Sequence, residues 1–129
     1  MQAQAQLQLV MLSTNLNYMP QSMLSSVGTC QEAVIDTAAG GTVELIAATA
    51  SQTIRIYKIF VYANSANNLT FKDGSTNLMG VINLNANSGF VVDPDANGHC
   101  PYTLTAGNAF NMTCSAASQV SGRVWFIQE

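Results

Sequence analysis

From Thr42 to Glu129, apolar and polar residues alternate in short runs, broken roughly every eight to twelve residues by Gly, Asn, Asp or Pro. Alternation at a period of two puts successive side chains on opposite faces of an extended chain, and short runs with frequent turn residues predict an antiparallel sandwich or barrel. The predicted strands are Ala33–Thr37, Thr42–Thr49, Thr53–Ala63, Leu69–Lys72, Thr76–Leu84, Ser88–Asp93, Phe110–Ala116 and Gln119–Gln128. Asp73-Gly74 reads as a tight hairpin turn, and Ala106-Gly107-Asn108 as the turn into Phe110. Eight strands of this length predict two packed sheets of about four strands each, wound as a jelly roll.

The run Thr53–Ala63 (TIRIYKIFVYA) is dense in β-branched and aromatic residues. Strict alternation puts Ile54, Ile56, Phe60 and Tyr62 on one face and Tyr57, Ile59 and Val61 on the other. A strand with one wet face normally carries polar residues there. Tyr57, Ile59 and Val61 are therefore candidate residues of an interface, covered by an arm or a second subunit. Inward positions elsewhere follow the same rule: Val43, Leu45 and Ala47; Leu69 and Phe71; Phe90 and Val92; Val120, Val124 and Phe126.

Residues 1–30 have a different texture, rich in Gln, Met, Leu, Ser and Asn, with no charge before Glu32. They read as an N-terminal arm preceding a sandwich over 31–129. A short helix over Gln2–Leu12 is the alternative, because Ala, Gln, Leu and Met favour helix. Fully extended, an arm of this length reaches on the order of 100 Å. Its apolar positions Leu7, Leu9, Leu12, Tyr18 and Met19 are candidate contacts to other proteins.

Composition narrows the function classes. Charged residues make up 9% of the 129 positions, against roughly 25% in an ordinary soluble domain. So little charge favours association, which suits a protein that lives in an assembly. The four cations, Arg55, Lys58, Lys72 and Arg123, are scattered and the net charge is -3, so no nucleic-acid partner is expected. No run reaches the roughly 20 apolar residues of a membrane span, and no basic, apolar leader opens the chain. Synthesis in a cytoplasm and no membrane partner are the expectations.

Catalytic and metal chemistry are weak. Asp93-Pro94-Asp95-Ala96-Asn97-Gly98 matches the first half of a calcium loop, but the twelfth position is Leu104 where a bidentate Glu is needed. His99 and Cys100 lack the spacing of a zinc site. Cys30, Cys100 and Cys114 form an odd set without CxxC spacing. Cys114 alternates with Phe110, Met112 and Ala116, as a small buried hydrophobe would. No nucleophile–base signature is present, so the chain is read as no enzyme, with no cofactor and no metal. Tyr57, Tyr62, Tyr102 and Trp125 could form a sugar platform, although aromatics in dense β runs more often fill a core or an interface.

The stretches TIRIYKIFVYANSANNLTFKDGSTNLMG and TLTAGNAFNMTCSAASQVSGRVWFIQ together resemble small phage virion proteins of the head decoration or cement type. The resemblance covers the chain from Thr53 onward. It implies a jelly-roll β-sandwich, a homotrimer, residence in the virion after assembly in the host cytoplasm, and the major capsid protein as partner. The alternative is a host-receptor or glycan-binding module of a tail fibre or spike.

Overall fold

The computed structural model describes residues 29–129, and Leu7, Leu9, Leu12, Tyr18 and Met19 lie outside them. Among the described residues the chain is all-β. Its strands are β1 (Gln31–Thr37), β2 (Gly41–Ile46), β3 (Ile54–Ala63), β4 (Asn67–Asp73), β5 (Thr76–Asn77), β6 (Ile82–Leu84), β7 (Ser88–Val92), β8 (Tyr102–Thr103), β9 (Phe110–Cys114) and β10 (Val120–Gln128). Every pairing is antiparallel.

The early strands pair with the later ones in reverse order: β1 with β10, β2 with β9, β3 with β7 and β8, β4 with β5 and β6. Successive pairs fall in opposite sheets. The first sheet runs β1-β10-β3-β7 with β8 also on β3, and the second runs β2-β9-β4-β5 with β6 also on β4. A long antiparallel ribbon rolled in this way is a jelly roll.

Each sheet has five strands rather than four. The expected strand Thr76–Leu84 is divided: Leu78 N–H turns back to the Phe71 carbonyl at 2.9 Å, ending β5, and pairing resumes at Ile82. The short β8, which the alternation did not reveal, pairs with the start of β3.

A bulge resets the phase of β3. Trp125 of β10 stands opposite Lys58, and the next residue, Phe126, opposite Ile56, so Tyr57 is extra on β3. Ile54 and Ile56 point inward before the bulge, and Ile59, Val61 and Ala63 after it, all with no exposed surface. Ile59 and Val61 are therefore core residues, not the interface positions that strict alternation gave them. Phe60 and Tyr62 take the outward positions. A smaller irregularity between Glu44 and Ile46 turns Ile46 into the core at 5% exposure.

The core between the sheets holds Ile35, Ile54, Ile56, Ile59, Val61, Leu69, Phe71, Phe110, Met112, Cys114, Val120, Val124 and Phe126. Phe71 stacks on Phe110 with ring centroids 5.4 Å apart and meets Phe90 edge-on at 6.0 Å. Each such side chain, fully buried, stabilises the fold by about 1.5–3 kcal/mol. Glycine allows β7 to lie against β3: a Cβ on Gly89 would stand 2.2 Å from the Val61 carbonyl oxygen.

Two polar hubs close the ends of the sandwich. Asn67, 2% exposed, donates through Nδ2 to the Ala116 carbonyl and Ser118 Oγ, and its Oδ1 accepts from Ser115 N and Ala116 N. That satisfies a buried amide and pins the β9–β10 turn. At the other hub, Asp73 accepts from Thr105 N, Thr105 Oγ1 and Asn108 Nδ2, joining the Gly74 hairpin to the loop before β9.

Candidate interaction face

The outer face of the first sheet is built from three rows of side chains in register across the strands. The middle row runs Val34–Arg123–Phe60–Val91, on β1, β10, β3 and β7 in turn. On one side lies Asp36–Ser121–Tyr62–Gly89, and on the other Glu32–Trp125–Lys58. Neighbours opposite each other in such a ladder stand about 4.5–5.5 Å apart, so each row is a continuous surface.

Exposure marks this face out. Val34 is 65% exposed, Val91 48%, Phe60 44% and Tyr62 38%. The other large exposed hydrophobic among the described residues, Val81 at 59%, sits apart from them, between β5 and β6. Gly89 beside Tyr62 adds no side chain, and the Tyr62 hydroxyl donates to Asn87 Oδ1 at 3.1 Å. Four strands at ~4.8 Å spacing and three rows make a patch on the order of 400 Å². That is about half of one partner's share in a standard stable interface.

Most of the charges gather at one end and neutralise one another, while Asp36 at the other end accepts from Gln119 Nε2 at 2.7 Å. Glu32 accepts from Arg123 Nη1 at 3.0 Å through one oxygen and from Trp125 Nε1 at 3.0 Å through the other. Lys58 Nζ lies 5.8 Å from the Trp125 ring centroid and 3.2 Å from Asp93 Oδ1. Surface pairs like these add little stability. They do fix the Trp125 ring and leave the Phe60–Val91 region free of unpaired charge. A partner meeting Phe60, Tyr62 and Val91 desolvates apolar surface, and one that also covers Val34 takes in the Arg123–Glu32 pair.

Tyr57 alone of the three strand candidates is on the outer side. At the bulge it is half-buried, and its hydroxyl is enclosed with no hydrogen-bond partner among the described residues, as is Nε of Arg55. Burial first, then the nearby Cys100 and Cys30 thiols, push the Tyr57 phenol above its ordinary value. Arg55 pairs with Glu129 at 3.2 Å. Phe60 and Tyr62 were missed as contact residues because the bulge reversed the phase of β3, whereas Val34 on β1 and Val91 on β7 face outward by their own alternation. Trp125 opposite Lys58 is the signal that locates the bulge, and it needs the register rather than the sequence.

The Asp93–Gly98 loop spends its acidic side chains internally. Asp95 Oδ1 accepts from Asn97 N and His99 N at 2.9 Å each, and Oδ2 meets His99 Nδ1 at 2.7 Å. The backbone and side-chain bonds from His99 hold the Asp95 carboxyl below the usual range. Asp93 is engaged with Lys58. Among the described residues no three His, Cys, Asp or Glu side chains gather as a metal site, and no helix is long and apolar enough to cross a membrane. Cys30, Cys100 and Cys114 are free thiols; Cys114 is buried in the core, and burial raises its pKa.

Comparison with protein-family models, with curated proteins and with solved structures finds no match in any of the three.

Proposed function

We propose that this chain is a structural protein of a phage virion, decorating or cementing the capsid by docking on the major capsid protein through the outer face of its first sheet. The exposed apolar side chains Phe60, Val91 and Tyr62, with Val34 across Arg123 in the same row, on a chain of so little charge, are the observation that carries the reading. Exposed apolar side chains clustered on one sheet face favour an interaction surface, and apolar contact needs no catalytic group. The resemblance of the Thr53–Gln128 stretches to decoration and cement proteins supports the same assignment, together with a homotrimer resident in the virion after assembly in the host cytoplasm.

Size refines the mechanism. A patch of on the order of 400 Å² gives weak attachment by itself. Several copies joined in one oligomer raise the effective concentration of each further contact, so attachment to a repeating lattice becomes strong through multivalency. A homotrimer on a capsid meets that requirement.

A second reading, a receptor- or glycan-binding module of a tail fibre or spike, is favoured by one feature. Trp125 lies among Glu32, Lys58 and Arg123, a mix of aromatic surface and hydrogen-bonding groups that suits a sugar. Copy number separates the two. Quantifying the chain in purified particles should give hundreds of copies for a decorating protein, and tens support the fibre reading.

A further inference from the structure

We propose that copies of this chain join head to tail through the outer face of the second sheet, Glu44 of one copy pairing with Lys72 of the next. That three copies close the ring rests on the homotrimer reading; the contact itself does not.

Two charges stand apart from the rest. The chain has four cations and seven acids. Arg123, Arg55 and Lys58 pair with Glu32, Glu129 and Asp93. Asp95 is engaged by His99, Asp36 by Gln119, and Asp73 by Thr105 and Asn108. Among the described residues, the side chains of Glu44 and Lys72 alone of these have no partner. Register puts the two in one row: Asn111 of β9 stands opposite Glu44 on one side and Lys72 on the other. They are about 10 Å apart at ~4.8 Å per strand. Asn111, between them, donates its amide N–H to the Gly74 carbonyl at 2.8 Å.

Charge and position select a second copy as the partner. β2, which carries Glu44, is an edge strand of the second sheet, and Lys72 lies beside the short β5 at the opposite edge. The adjoining row Thr42–Thr113–Thr70 is uncharged, so no like charge there opposes an approach. Each copy brings one acid and one base, and the Glu44 flank of one neutralises the Lys72 flank of the next. Because the two flanks differ, the contact is heterologous, and it closes into a ring when the rotation between copies allows. In a closed ring every Glu44 and every Lys72 is paired. Such pairs fix register and exclude wrong partners more than they add affinity. Thr42, Thr76 and Asn77, all exposed, offer hydrogen-bonding groups around the contact. The outer face of the first sheet, across the sandwich, stays free, so a ring of three presents three docking faces to a lattice.

Charge reversal on the full chain, read by sedimentation and checked for folding by thermal melts, tests this. Wild type should sediment as a trimer, and Glu44→Lys or Lys72→Glu alone should weaken association by at least about tenfold, because like charges then meet. The two changes combined in one chain should restore it. An equal mixture of the two single variants should not recover fully paired trimers, because a ring of three must hold one contact between like variants. Full recovery in that mixture as dimers overturns the head-to-tail ring in favour of a two-fold contact. Failure of the combined variant to recover overturns the pairing. A wild-type trimer indifferent to either single change overturns this contact and leaves the homotrimer reading standing, whereas a wild-type monomer removes both.

Discussion

Thr105 gives both its backbone N–H and its hydroxyl to one oxygen of Asp73, at 2.9 and 2.8 Å, across the end of the sandwich. Burial alone would raise the Asp73 carboxyl; the bonds from Thr105 N–H, Asn108 and the Thr105 hydroxyl outweigh it and hold the group below its ordinary value. A carboxyl whose folded pKa lies below its unfolded pKa stabilises the fold fully above the unfolded value, near 3.9. That contribution is lost as pH falls toward and through the folded pKa. Asp73→Ala should therefore lower stability by about 2 kcal/mol near neutrality. The gap between mutant and wild type should shrink in urea titrations as the pH drops below about 4.

Asn67 should be among the most sensitive polar positions. It is buried and all its hydrogen-bonding capacity is used on the β9–β10 turn. Asn67→Ala leaves Ser115 N and Ala116 N without their acceptor and should cost about 2–3 kcal/mol in urea unfolding.

Consecutive residues of β3 should respond in opposite ways. Ile59→Ala opens a cavity in the core and should cost about 2–5 kcal/mol. Phe60→Ser, on the outer face, should shift stability by within about 1 kcal/mol. Equal effects in thermal melts would place Ile59 and Phe60 on faces other than those described.

Thiol labelling should follow burial. Cys30 is exposed, Cys100 intermediate and Cys114 buried, and burial raises the pKa of both Cys100 and Cys114. Only thiolate reacts, so a disulfide reagent should modify Cys30 first, Cys100 more slowly and Cys114 at the rate of unfolding.

The two-sheet jelly roll was legible because most strands keep a strict period of two: Leu69 and Phe71, Phe110, Met112 and Cys114, and Val120 and Val124 are buried as their alternation requires. The contact face was not legible. It depends on Tyr57 being extra opposite Trp125 and Phe126, a register fact that inverts every later residue of β3. The polar hubs were hidden for a different reason. Asn67 and Asp73 look like ordinary turn residues, and their partners Ser115, Ala116, Thr105 and Asn108 lie far along the chain.

The docking role of the outer face is tested most directly by the affinity of the full chain for purified capsids, wild type against Phe60→Ser with Val91→Ser. Both side chains are exposed in the middle row, so the doubly substituted chain should keep its fold, checked by circular dichroism and melting temperature. The expected result is binding weakened by at least about tenfold, a total loss of roughly 1.4 kcal/mol or more. Undiminished binding by a folded variant would contradict the assignment of this face.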